Sequence, residues 1–214
     1  MTAVIFDLDG TLVDSLDDIT ASLAHTFAAE GWTPLDRTAV ERHVGFGARA
    51  LVAGAVNDVA PEASAEVDRV LALYQARYAS HLVDHSLPFE GVAEMLEALN
   101  ARGVPIAVLS NKPHAMTRQV VEALLPYPFV EVFGARDDVP PKPNPTLALE
   151  LLRLLGQPAR DVYFVGDTPV DIETAARADM NSVAVTWGMR EPAVLEGADH
   201  RIDHPSALLA LIGA

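Results

Sequence analysis

The sequence contains no cysteine. Disulfide staples, thiolate metal sites and thiol nucleophiles are therefore excluded, and packing has to hold the fold together. No apolar run approaches the ~18 residues that a helix needs to cross a bilayer. No charged-then-apolar leader precedes the first apolar run, which starts at Ala3. The expectation is a soluble, cytoplasmic protein with no membrane partner. Positive charge is scarce too: 15 Lys and Arg stand against 30 Asp and Glu, a formal net charge of −15. That sign argues against non-specific binding to nucleic acid or to anionic lipid. An anionic substrate would need positive charge concentrated locally. Lysine is scarcer still, with only Lys112 in "LSNKPH" and Lys142 in "PPKPNP". Either an arginine-rich codon bias left two lysines by chance, or lysine was kept where a compact ammonium is needed.

Apolar residues, by contrast, make up 50% of the 214 positions, enough for a sizeable core and against disorder. "AVIFDL" reads as a buried strand. Ser15 to Asp18 fits a capping box with Asp in the Glu position. Leu16, Ile19, Leu23 and Phe27 follow at helical spacing, up to a break at Gly31. A glycine-rich patch covers His43 to Ala55. A helix opening at Pro61 carries Val67, Val70, Tyr74, Tyr78 and Leu82 as its stripe. From Pro88 onward helices and short apolar strands alternate: "VPIAVLS", "FVEVFG", "DVYFVGD" and "SVAVT" are the strands, and "PSALLALIG" closes the chain as a helix.

Such alternation predicts an α/β fold, a doubly wound, Rossmann-like parallel sheet with helices on both faces. The first strand must join that sheet to bury its apolar residues. The purely helical stretch is then an insertion. The expected organisation is a core of residues 1–14 and 85–214 with an all-α cap of residues 15–84.

In parallel α/β sheets ligands bind beyond the carboxyl ends of the strands, and the unusual residues gather at such ends. Asp7 and Asp9 end the first strand and share a side by strand periodicity. Ser110 and Asn111 end "VPIAVLS". Asp167 ends "DVYFVGD", with Asp171 at the next helix start, and Lys142 sits in a loop before a helix. Three or four converging carboxylates call for a hard cation with oxygen ligands, and Mg²⁺ fits. Like charges at ~4 Å cost about 4 kcal/mol per pair at an effective dielectric near 20, so both the cation and Lys142 are needed. Gly10 permits a sharp turn, and the Thr11 hydroxyl is placed to fix the loop.

"DLDGTLVDS", the serine of "VPIAVLS", the lysine of "PPKPNP" and "GDTPVD" resemble the four motifs of the haloacid dehalogenase-type phosphatase superfamily. Within it, "VGFGARALVAGAV", "LSNKPH" and "NSVAVTWGMR" look most like phosphoglycolate phosphatases. The resemblance implies Asp7 as nucleophile, forming an aspartyl phosphate, and Asp9 as general acid/base holding a proton. It implies Mg²⁺ on the Asp7 and Asp167 carboxylates, on the Asp9 carbonyl and on Asp171, directly or through water. Ser110 and Lys142 would meet the phosphoryl group, with Thr11 and backbone groups near Asn111 around it. The substrate would be a small phosphorylated metabolite. A phosphoglycolate phosphatase must also recognise a carboxylate, for which Arg49 leads, followed by Arg42 and His43. Lys112 either meets the substrate or caps backbone carbonyls.

Several rivals remain on the same scaffold. Pyrophosphatase and sugar-phosphate phosphatase activities are open. A β-phosphoglucomutase-like enzyme would usually lack the threonine found as Thr11 and carry a cap lysine. A non-catalytic binding protein would be expected to have lost one of Asp7, Asp9, Lys142 or Asp167, and all four are present.

Overall fold

Ala3, Val4, Ile5 and Phe6 are fully buried and form strand β1 (Ala3–Phe6) at the centre of a six-stranded parallel sheet. A computed structural model of the chain describes residues 2–213; the end residues of the expected core segments, 1 and 214, lie outside it. The sheet also contains β4 (Ile106–Pro113), β5 (Val132–Ala135), β6 (Val162–Gly166), β7 (Asn181–Val185) and β8 (His200–Ile202), in the order β5-β4-β1-β6-β7-β8. Val4 is in register with Ile106 on one side and with Tyr163 on the other. The chain first steps from β1 to β4 and β5, then returns to the opposite side for β6, β7 and β8. The switch point flanks β1, so the ligand crevice opens at its carboxyl end.

Both faces of the sheet are covered, which is what a parallel sheet requires. Val4, Phe6 and Val108 point into one apolar cluster, and Ala3, Ile5, Ala107 and Leu109 into the other. Helices α5 (Val92–Ala101), α6 (His114–Leu124), α7 (Thr146–Leu155), α8 (Pro169–Arg177) and α9 (Ala207–Leu211) supply the cover. α7 ends on the left-handed Gly156, where a glycine accepts the positive φ that stops a helix.

Between β1 and β4 the chain is mostly helical: α1 (Leu16–Ala29), α2 (Arg37–Glu41), α3 (Ala48–Val59) and α4 (Val67–Tyr78). The stripe of Leu16, Ile19, Leu23 and Phe27 is buried with Val70, Tyr74 and Tyr78 in the larger cluster. A short antiparallel ribbon, β2 (Val13–Asp14) with β3 (Leu87–Pro88), ties the two strands of chain that lead into and out of these helices.

Four local features depart from the sequence reading. The glycine-rich patch runs into α3, which starts after Gly47 (φ +91), continues past the patch to Val59 and packs Val52, Ala55 and Val56 inside. The stretch from Pro61 to Glu66 is a 3-10 turn, and α4 begins only at Val67. The edge strand β8 went unforeseen because Ile202 is its one buried apolar residue. The Ser15 capping box does not form, because both of its side chains have other partners. The Ser15 hydroxyl donates to Asp9 Oδ1 at 2.5 Å, and Asp18 accepts from the backbone of His85 and Ser86. Among the described residues no helix is long and apolar enough to cross a membrane.

Candidate active site

The loop after β1 presents the first two acidic groups. The Asp7 N–H still bonds to Val165 at 2.9 Å, so its carboxylate leaves the sheet in a fixed direction. The chain then folds tightly back, with the N–H groups of Leu12 and Val13 both on the Leu8 carbonyl at 3.0 Å. Gly10 carries the turn at φ +89, and a Cβ there would collide with the Asp167 carboxylate. Glycine is needed for both the dihedral and the close approach.

Asp7, Asp167 and Asp171 converge there, one oxygen from each lying within 4.8 Å of the others, and all three are buried. Lys142 Nζ stands 2.6 Å from Asp171 Oδ1 and 2.9 Å from Asp7 Oδ1. The Asp7 contact is an ion pair by distance but lies outside hydrogen-bond geometry, leaving that buried oxygen without a directed donor. Asp171 is oriented from its other oxygen, which accepts the Thr168 hydroxyl at 2.7 Å and the Thr168 N–H at 3.1 Å, part of the capping box of α8. Asp167 accepts the Met189 N–H at 2.8 Å and the Thr11 hydroxyl at 3.2 Å.

One ammonium does not neutralise three buried carboxylates. Burial pushes Asp7 up to about 7, helped by Asp171 and Asp9 and opposed by Lys142. Burial, then Asp7 and Asp171, push Asp167 up to about 8. Burial works against the Lys142 charge, but Asp171 and Asp7 outweigh it and hold the ammonium firmly protonated. The cluster therefore has unmet demand for positive charge. Its all-oxygen donor set, the orphaned Asp7 oxygen and the tight cradle of Gly10 and Gly188 around Asp167 fit a small divalent cation.

Asp9 faces a different partner. Lys112 Nζ lies 2.8 Å from each of its carboxylate oxygens and 2.7 Å from the Tyr78 hydroxyl. Lys112 therefore caps no backbone carbonyl with its ammonium. The sequence held both halves of this pair, but their meeting depends on β4 lying beside β1. Tyr78 was legible only as part of an apolar stripe.

The other expected residues divide. Ser110 is buried at the cavity and accepts the Lys112 N–H at 3.2 Å. The Asn111 carboxamide is fully engaged by the Lys142 N–H, the Lys142 carbonyl and the Gly45 carbonyl, so it positions the Lys142 loop. Thr11 serves Asp167, and its carbonyl accepts the Trp187 indole N–H at 3.0 Å. Arg49 is placed away from the cavity: its side chain is 67% exposed and pairs with Asp68 at 2.9 Å. Ala48 and Leu51 of the same helix line the cavity instead. Arg42 and His43 both turn to Asp58.

The cavity, about 40 Å³, lies between the sheet edge and α3 and α4. Asp7, Asp9 and Ser110 form its floor, and Val44, Leu51 and Tyr74 are among its apolar walls.

Comparison with known proteins agrees with this architecture. Residues 1–179 match the family model of the haloacid dehalogenase-like hydrolases. A phosphoglycolate phosphatase of Rhodospirillum rubrum is 38% identical over 92% of this chain and 84% of its own. An N-acetylmuramic acid 6-phosphate phosphatase of Pseudomonas aeruginosa is 33% identical over 99% of this chain and 95% of its own. A crystal structure of a predicted phosphoglycolate phosphatase from Haemophilus somnus superposes with a TM-score of 0.90 at 28% identity, covering 99% of this chain and 97% of that one.

Proposed function

The chain belongs to the haloacid dehalogenase-like hydrolase family, and from that premise we propose that it hydrolyses 2-phosphoglycolate through an aspartyl phosphate on Asp7. The observation that carries this reading is the division of two neighbouring cavity carboxylates between two lysines, Lys112 at the cavity and Lys142 behind it. Asp7 is paired with Lys142, and Asp9 with Lys112. Two differently placed carboxylates serve two roles, nucleophile and proton carrier.

In the first step an Asp7 carboxylate oxygen bonds to phosphorus as the ester P–O bond breaks. The leaving alkoxide takes the proton of Asp9. In the second step Asp9 takes a proton from water, whose oxygen bonds to phosphorus and releases the Asp7 carboxylate and inorganic phosphate. Ser110 and Lys142 stand where phosphoryl oxygens would be bound. Asp7, Asp167 and Asp171 are the carboxylates that would hold Mg²⁺, with the Asp9 carbonyl beside them. When bound, the ion supplies charge neutralisation for the phosphoryl group and the carboxylates around it. The helices of residues 15–84 act as the cap that excludes water from this site, and the cytoplasm is the proposed setting.

Substrate choice rests on the relatives' activity and on the small size of the cavity. Phosphate release should be measured with Mg²⁺ on 2-phosphoglycolate, pyrophosphate, β-glucose 1-phosphate and N-acetylmuramic acid 6-phosphate. The expected result is the highest kcat/KM on 2-phosphoglycolate, with no turnover in EDTA or in Asp7→Asn. A low rank for 2-phosphoglycolate overturns the substrate. Full activity in Asp7→Asn overturns the mechanism.

A further inference from the structure

Among the described residues Lys112 is the only cation lining the cavity, and the two hydrolytic steps above give it no task. Its side chain is 3% exposed, and its ammonium makes three contacts: both oxygens of Asp9 and the Tyr78 hydroxyl. An ammonium has three N–H donors, so the group is fully engaged. Asp9 and Lys112 lie at the carboxyl edge of the sheet, whereas Tyr78 is the last residue of α4 in the helical insertion. Tyr78 is itself buried and stacks on Tyr74 at 5.5 Å, so its hydroxyl is carried by α4 as a unit. One buried charge thus joins the carboxylate that handles the proton to the element that closes the cavity.

We propose that Lys112 is a positioning residue that sets the Asp9 carboxylate for proton transfer and makes that setting depend on the seating of α4 through Tyr78. The proposal rests on the reading of Asp9 as the proton donor. It has a consequence that a purely structural lysine would not have. Proton donation matters when the leaving group is a poor one and hardly at all when it leaves as a stable anion. Loss of Lys112 should therefore cost rate according to the leaving group.

The test is the rate of enzyme phosphorylation at saturating substrate with Mg²⁺, followed by rapid quench, for wild type, Lys112→Met, Tyr78→Phe and Asp9→Asn. Three substrates separate the possibilities. 2-Phosphoglycolate has a poor leaving group and a carboxylate, ethyl phosphate a poor leaving group alone, and p-nitrophenyl phosphate a good one. Lys112→Met is expected to slow both alkyl esters by about 10- to 100-fold and p-nitrophenyl phosphate by less than about threefold. Tyr78→Phe should show the same pattern more weakly, and it tests the link even if Lys112→Met does not fold. Equal slowing of all three substrates makes Lys112 merely structural and overturns the proposal. So does a raised half-saturation concentration confined to 2-phosphoglycolate, read by repeating the quench over a substrate series, which would make Lys112 a reader of the substrate carboxylate. If Asp9→Asn itself fails to discriminate, the reading of Asp9 falls and the proposal with it. If Asp9→Asn discriminates and Lys112→Met does not, only the Lys112 proposal fails.

Discussion

Lys142 Nζ donates to Asp171 Oδ1 at 2.6 Å, with both side chains 2% exposed. Among the described residues this ammonium is the only positive charge paired with the acidic cluster, and it sits where a divalent cation would feel its repulsion. Its removal should act in opposite directions on two measurements. In Lys142→Met, turnover is expected to fall by at least about 10³, since a preorganised charge at the phosphoryl group is lost. Mg²⁺ affinity at pH 8.5, read by calorimetry, should rise by about tenfold or more as like charge is removed. Mg²⁺ binding unchanged or weakened in the variant would mean that the cation does not share the cluster with Lys142.

The raised positions of Asp7 and Asp167 set a pH dependence for the metal-free protein. Their folded-state values of about 7 and about 8 lie above the ordinary 3.8, so between these limits the native state binds more protons than the unfolded chain. Stability from these groups is therefore fully present below about pH 4 and is lost as pH rises through 7 and 8. A divalent ion competes with those protons for the same oxygens. The rise in Tm produced by a fixed Mg²⁺ concentration should accordingly be larger at pH 8.5 than at pH 6, and Asp167→Asn should flatten the difference. Equal Tm shifts at the two pH values would contradict the assignment of these carboxylates as the ion's ligands.

What the sequence made legible was local in origin. An aspartate ending an apolar strand is visible in "VIFDLD" and "VYFVGD", and alternation of strands and helices brings such ends to one edge. What stayed hidden depended on long-range placement or on helical phase. Asp9 and Lys112 are 103 residues apart, and only the pairing of β4 with β1 makes them neighbours. Arg49 stands directly after the glycines of "GFGA". Yet a residue one step from Ala48 is rotated by about 100° around the helix, and α3 turns Ala48 and Leu51 to the cavity while Arg49 points to Asp68. Ser15 and Asp18 had the spacing of a capping box, but each found a stronger partner in the folded chain.

One of those partners makes a stability test. Asp18 accepts the Ser86 hydroxyl at 2.6 Å and the Ser86 and His85 N–H groups at 2.8 and 3.0 Å. It thereby clamps the chain leaving the helical insertion to the chain entering it, beside the β2–β3 ribbon. Hydrogen bonds to a charged acceptor contribute roughly 1.5–3 kcal/mol, and the buried N–H groups left behind cost more. Asp18→Ala should lower unfolding stability by about 2–4 kcal/mol, measured by urea titration. Ser86→Ala, which keeps the backbone bonds, should cost about 1 kcal/mol. A neutral Asp18→Ala would show that the clamp carries no net stability.

Arg190 holds the opposite wall. From the loop after β7 its guanidinium donates to the carbonyls of Glu41 at 2.7 Å, Arg42 at 3.3 Å and Val44. Glu41 closes α2 and its carbonyl also accepts the Val44 N–H at 3.3 Å, while Arg42 and Val44 lie past the helix end, where carbonyls lack intrahelical partners. Val44 and Gly45, next along the chain, line the cavity. Arg190→Ala leaves the carbonyls to water and releases the segment that forms the wall, without touching Asp7 or Asp9. The expected result is a KM raised by about fivefold, matching roughly 1 kcal/mol of lost preorganisation, with kcat changed by less than about threefold. Trypsin should also cut faster after Arg42, whose side chain is 65% exposed, and saturating substrate should slow that cut. Arg190→Lys should recover little, because an ammonium lacks the fork that spans several carbonyls. If KM and the cleavage rate after Arg42 both stay at the wild-type values, the wall does not depend on Arg190.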